Sequence, residues 1–217
     1  MDYDLIRKKA RAERLDVYGG FHPGPQDNAA EGTGTILMLG PSEPGFWAHS
    51  QTTPEFRDGS PDPLDRWSAR VIERLAKKCG ATALFPFGGP PYQPFIAWAK
   101  RTRRAWQSPA GMLVHDVAGL MVSYRGALAL PERLNLPVVG PNPCETCIPK
   151  PCLIACPVAA LSREAGYDIA ACHGFLNQRG GEDCMDSGCR ARRACPVSES
   201  YGRVVAQSAF HMKAFHP

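Results

Sequence analysis

Pro143-Cys144-Glu145-Thr146-Cys147-Ile148-Pro149-Lys150-Pro151-Cys152-Leu153-Ile154-Ala155-Cys156-Pro157 places four cysteines within fifteen residues and ends on a Cys-Pro pair. A second group follows: Cys172, then Cys184-x4-Cys189-x5-Cys195-Pro196. Eight of the nine cysteines therefore lie between residues 144 and 195. A 4Fe–4S cube needs four thiolates, and short spacers let a loop wrap it and aim backbone N–H groups at its sulfurs. In two-cluster ferredoxins the cysteine before proline ligates the other cluster. The proline itself turns the chain away and brings no competing N–H. That rule assigns Cys144, Cys147, Cys152 and Cys195 to one cluster. It assigns Cys156, Cys184 and Cys189 to the other, and Cys172 is the ligand left to complete it.

The spacers at residues 148–151 and 185–188 exceed the usual Cys-x2-Cys-x2-Cys-x3-Cys-Pro run. Two zinc sites are the competing reading. Zinc asks for paired Cys-x2-Cys knuckles, and only Cys144/Cys147 forms one. Two adjacent cubes imply a route for single electrons, with a redox partner protein as donor.

Outside this window the chain is ordinary. Its 217 residues are 44% hydrophobic, with 21 Gly and 21 Pro. The net charge of +4 is mild and spread over both halves. Nucleic acid is therefore a weak candidate partner, through Lys100–Arg104, Arg190, Arg192 and Arg193. No apolar run spans a bilayer, and Met1-Asp2-Tyr3-Asp4 is no signal peptide. A cytoplasmic location follows as the expectation, and reduced cytosolic thiols favour metal over disulfides.

Before the cysteines, residues 2–16 read as a basic helix and residues 19–34 as loop. Thr35-Ile36-Leu37-Met38-Leu39 reads as a buried strand, and residues 41–61 as loop. Asp62-Pro63 opens a helix whose apolar stripe runs from Leu64 to Cys79, with Gly80 as its stop. Cys79 belongs to that stripe as a core residue. Residues 81–85 read as a strand, and Gly88, Gly89 and Tyr92 lie in a loop that a ligand could approach. A helix is expected from Phe95 to Trp106. Two strands should then fill residues 111–130 around a turn at His115-Asp116. Arg125 beside Gly126 in an apolar strand needs a counter-charge, such as Asp116 or a bound ligand. The expected architecture is α+β: an N-terminal domain over residues 1–140 and a ferredoxin-like module with two 4Fe–4S clusters over residues 141–217.

Residues 161–197 resemble the iron–sulfur module of epoxyqueuosine reductase and the reductive dehalogenases. The connector Gly166-Tyr167-Asp168-Ile169-Ala170-Ala171-Cys172 precedes the second Cys-Pro run as in those families. His115-x3-Gly119-x5-Arg125-Gly126 is similar to a stretch of the cobalamin-processing chaperone family. The helix ending at Cys79-Gly80, with Phe85-Pro86-Phe87 after it, resembles the reductase. The resemblance implies a flavin-reductase-like, cobalamin-binding N-terminal domain. Gly88, Gly89, Tyr92, His115, Gly119, Arg125 and Gly126 would then hold a corrinoid reduced through the clusters. The sequence departs from the reductase in two ways. Gly88-Gly89-Pro90-Pro91-Tyr92-Gln93 carries no acidic proton donor. The sequence also stops 22 residues after Cys195, without helical repeats that help hold tRNA. Both speak against epoxyqueuosine reduction itself. The competing function is a dedicated two-cluster electron carrier that binds no cobalamin.

Overall fold

A computed structural model describes residues 1–217. The first part of the chain runs α1 (Tyr3–Ala12), β1 (Leu15–Phe21), β2 (Thr35–Pro41), α2 (Phe46–Ser50), α3 (Pro54–Arg57), α4 (Pro63–Cys79), β3 (Thr82–Leu84) and α5 (Phe95–Arg101). A hairpin of β4 (Ala105–Gln107) and β5 (Leu113–His115) comes next, then β6 (Gly126–Leu130). The cysteine region holds α6 (Pro143–Thr146), β7 (Leu161–Ser162), β8 (Gly166–Tyr167), α7 (Ile169–Leu176), α8 (Glu182–Ser187), α9 (Arg190–Arg193), α10 (Pro196–Ser200) and α11 (Val205–Phe215). The fold is mixed α+β with small antiparallel sheets. No helix is long and apolar enough to cross a membrane.

Two compact units divide the chain. The first comprises residues 1–104 and 123–139, the second residues 105–122 and 140–217. The boundary expected at residue 140 thus misses one exchange: the β4–β5 hairpin counts with the cysteines.

The first unit is built on a four-stranded sheet in the order β1-β2-β6-β3. All seven residues of β2 are buried, which explains its unbroken apolar run. It is a central strand, paired antiparallel with β1 and β6. Phe21, Ile36, Met38, Phe95, Trp98, Ala127 and Ala129 pack into one core cluster. Helix α4 buries Leu64, Trp67, Val71, Ile72, Leu75, Ala76 and Cys79 at helical spacing. Full burial of a side chain such as Ile72 contributes about 1.5–3 kcal/mol. Gly80 ends the helix in the left-handed region at φ 64° and donates its N–H to the Ala76 carbonyl.

Several local expectations need correction. Asp62 does not cap α4: it is left-handed at φ 52° and its side chain makes no cap bond. Pro63 begins that helix. Residues 15–21 are a strand, hidden from the reading by Gly19 and Gly20. Those glycines mark a bulge, since the β1–β2 register shifts between Val17 and Gly20. A Cβ on Gly19 would lie 2.6 Å from Thr102. Helix α5 stops before Trp106, because Arg103 turns left-handed at φ 57°. The strand expected over residues 120–130 is only Gly126–Leu130. Residues 41–61 include the short helices α2 and α3.

In the second unit Ala110, Val114 and Leu120 form a small core with Cys152 and Cys195, against which Trp106, Met112, Cys144, Leu161 and Val197 pack. Helix α11 lies against α8, where a Cβ on Gly188 would meet the Ser208 side chain at 2.7 Å. Asn142 accepts the Cys144 N–H at 3.0 Å and caps α6, while Asp168 accepts the Ala171 N–H at 2.8 Å and caps α7. Each cap fixes the start of a helix that carries a cysteine.

Candidate metal centre

All nine cysteines are free thiols. Cys144, Cys147, Cys152 and Cys195 line one cavity of about 370 Å³, together with Ser108, Leu120, Pro151 and Val197. The four come from α6 and the loop after it, from a 3-10 turn at Pro151–Leu153, and from the residue that opens α10. Pro196 occupies the first position of α10, so Cys195 faces the cavity while the chain leaves it.

The electrostatics group the thiols the same way. Burial first, then the charges of Cys152, Cys195 and Cys147, push the Cys144 thiol up to about 11. Burial also raises Cys152, with Cys195 and Cys147 adding to it. Burial raises Cys172, the Tyr167 bond opposes this, and Cys189, Cys156 and Cys184 add to the rise. Burial raises Cys184, with Cys189 as its thiol neighbour. Every thiol that acts on another belongs to its own set of four. Crowded buried thiolates repel, and a positive centre among them removes that penalty.

Donors surround both sets. The Ala160 N–H reaches Cys156 Sγ at 3.3 Å. Backbone N–H groups of Ala110 and Arg190 stabilise the Cys152 and Cys184 thiolates. The Tyr167 hydroxyl donates to Cys172 Sγ at 3.1 Å, and its ring stacks on Phe215 with centroids 6.0 Å apart. Sequence reasoning missed Tyr167 and Ser108. Tyr167 lies five residues before a ligand, a weak signal; Ser108 has none.

Four free thiols lining one cavity are a donor set whose chemistry suits an iron–sulfur cube. Ser108 is fully buried, lines the cavity, and its Oγ has no hydrogen-bond partner. An orphaned hydroxyl beside four free thiols leaves a donor for any acceptor that the cavity takes up. No three His, Cys, Asp or Glu side chains converge to hold a single metal ion.

The residues gathered for a corrinoid fare differently. His115 and Gly119 belong to the second unit. His115 is fully buried, and its Nδ1 accepts the N–H groups of Val117 and Ala118 at 3.2 Å. Gly119 sits at φ +55°, where a Cβ would fall 2.4 Å from the Ser198 nitrogen. Arg125 finds its carboxylate within the first unit: Nη2 lies 3.2 Å from Asp65 Oδ1. Burial holds the Arg125 guanidinium below its ordinary range, and Asp65 opposes that. Asp116 lies in the other unit and stands 3.1 Å from His115 Nδ1. Gly126 is tight packing, its Cβ position 2.7 Å from Ile72 Cδ1. Only Gly88, open at φ +81°, Gly89 and the exposed Tyr92 remain in a loop. His115, Gly119, Arg125 and Gly126 are thus each engaged in bonds or packing within their own unit.

Three of the arginines named for nucleic acid are engaged inside the second unit, and Arg101 of the first pairs with Asp27. Arg190 and Arg193 pair with Asp183, and Arg192 donates to the Leu120 carbonyl. No protein-family model, curated protein or solved structure matches the chain.

Proposed function

We propose that this chain is an iron–sulfur redox protein that passes single electrons through two 4Fe–4S clusters. One observation carries the reading: Cys144, Cys147, Cys152 and Cys195 line one cavity, the same four that the two Cys-Pro pairs imply for one cluster, and the thiols that act on Cys172 and Cys184 all belong to the other four. Cys144, Cys147, Cys152 and Cys195 would hold the first cluster; Cys156, Cys172, Cys184 and Cys189 the second. When bound, the clusters supply one-electron chemistry.

The chain's own residues do three things for it. The cysteines would fix the cubes, and the buried Cys152 and Cys195 set the inner wall of the cavity for the first. The N–H and O–H donors aimed at sulfur stabilise the charge that an added electron brings. Ile148 and Ile154, 87% and 86% exposed, lie four residues before and two residues after Cys152 in the chain. Exposed apolar side chains beside a redox centre suit brief docking of a donor protein.

The two Cys-Pro pairs and the single Cys-x2-Cys knuckle favour cubes over lone zinc. Zinc binds sulfur at about 2.3 Å and draws its thiolates tightly together, whereas a cube holds them on separated corners. The functional part of the reading is a ferredoxin-like carrier whose N-terminal unit docks a partner. A flavin-reductase-like, corrinoid-binding N-terminal unit is the alternative that the family resemblance implies, and titration separates the two. Cobalamin added to the anaerobic protein should leave its spectrum unshifted while dithionite bleaches the cluster absorption. A spectral shift with stoichiometric corrinoid retention would restore the alternative. Absence of any bleachable absorption would remove electron transfer altogether.

A further inference from the structure

We infer that the Ser108 hydroxyl donates a hydrogen bond to a sulfur of the first cluster and thereby sets that cluster's reduction potential above what the cysteines alone would give. The inference rests on the two-cluster reading and deepens it. Ser108 sits where β4 turns towards β5. Its backbone is already committed: its N–H donates to the Met112 carbonyl at 2.8 Å, and its carbonyl accepts the Gly111 N–H at 3.0 Å. The turn is held from outside by Gly111, at φ +79°, whose Cβ position lies 2.7 Å from the Ser162 carbonyl oxygen. The side chain is therefore carried on a fixed backbone into the cavity that the four cysteines share. It is fully buried, and Oγ has no partner.

A buried hydroxyl without a partner costs roughly 1–3 kcal/mol. A site that keeps one fits an acceptor supplied from outside the chain. Besides thiols and apolar side chains the cavity is lined by Thr146 and Lys150, neither of which bonds Ser108 Oγ; an ammonium only donates, and cluster sulfur would supply the acceptor that the hydroxyl lacks. Two residues further along the same turn, the Ala110 N–H acts on the Cys152 thiolate. The β4–β5 turn is thus a two-donor arm against one cluster. One electron entering the cube adds one negative charge, and a donor to sulfur stabilises the reduced form more than the oxidised one. No proton has to leave the hydroxyl.

The test uses the full chain, loaded anaerobically, in a redox titration followed by the EPR signals of both clusters. Ser108→Ala should lower the first cluster's potential and leave the second unmoved. At fixed poise the reduced-to-oxidised ratio of the first cluster should fall about tenfold, equivalent to about 59 mV for one electron. Ser108→Thr keeps the hydroxyl and should titrate like the parent, whereas Ser108→Val, of the same shape, should follow Ser108→Ala. This pair decides the matter if the alanine variant does not load. Iron-free Ser108→Ala should be at least as stable as the iron-free parent, because an unpartnered polar group has been removed. Intact clusters with unmoved potentials in Ser108→Ala and Ser108→Val would overturn the inference and leave the two-cluster reading standing. A destabilised iron-free Ser108→Ala would mark a structural role and overturn it as well. A parent chain without iron would overturn both.

Discussion

Each cysteine has a separable consequence. On the proposed assignment, Cys195→Ser would remove the ligand that the second Cys-Pro run supplies to the first cluster. Anaerobic protein should then fall from about eight to about four irons per chain, with the loss confined to the first EPR signal. Loss of the second signal instead would reassign the ligands. Tyr167 acts on the other set. Its hydroxyl reaches Cys172 Sγ at 3.1 Å, so Tyr167→Phe should lower the second cluster's potential and leave its iron in place. Gly119 is a glycine for a physical reason: φ is +55° and its Cβ position lies 2.4 Å from Ser198 N. The Leu120 N–H also donates to Ser198 Oγ at 2.8 Å, three residues beyond Cys195. Gly119→Ala should therefore cost at least about 1–3 kcal/mol in thermal unfolding, and it should weaken loading of the first cluster. Unchanged stability would show that this contact carries no load.

At the scale of elements, α3 and α4 are joined by the Glu55–Arg70 ion pair. Arg70 holds the Glu55 carboxyl down to about 2 from an ordinary 4.5. A depressed carboxyl binds its proton later in the folded chain than in the unfolded one. Its contribution is full above pH 4.5 and lost as pH falls through about 2. Glu55→Gln should be less stable than the parent at pH 7, and the gap should close as pH falls across that window in urea titrations. A gap independent of pH would mean that packing, not charge, is at stake. Elements also show what could be read in advance. The α4 stripe from Leu64 to Cys79 and the β2 run were legible because burial imposes a period on sequence. Strand β1 was not, because its bulge glycines look like a turn. Helix α5 was overextended because the left-handed Arg103 leaves no compositional mark. Spacing and proline alone imply a grouping of the cysteines, and one cavity is lined by all four of its first set. Ser108 and the Arg125–Asp65 pair were not legible, because each depends on which segments the fold brings side by side.

For the whole molecule, the two units should respond differently to metal. The first has a conventional core of sheet and helix. The second packs its small core on Cys152 and Cys195, with Cys144 against it, so filling the cavity is coupled to folding it. Chelation should therefore raise hydrogen exchange across residues 105–122 and 140–217 and leave 1–104 and 123–139 protected. Uniform loss of protection would make the chain one cooperative body. The division at residues 105–122 was beyond sequence reading, since nothing in a short β hairpin says which neighbour it will join. The most direct test of the central claim is a count of iron and acid-labile sulfide per chain in protein purified without oxygen. The two-cluster account predicts about eight of each. Iron and sulfide at trace levels, with zinc or cystines in their place, would contradict it.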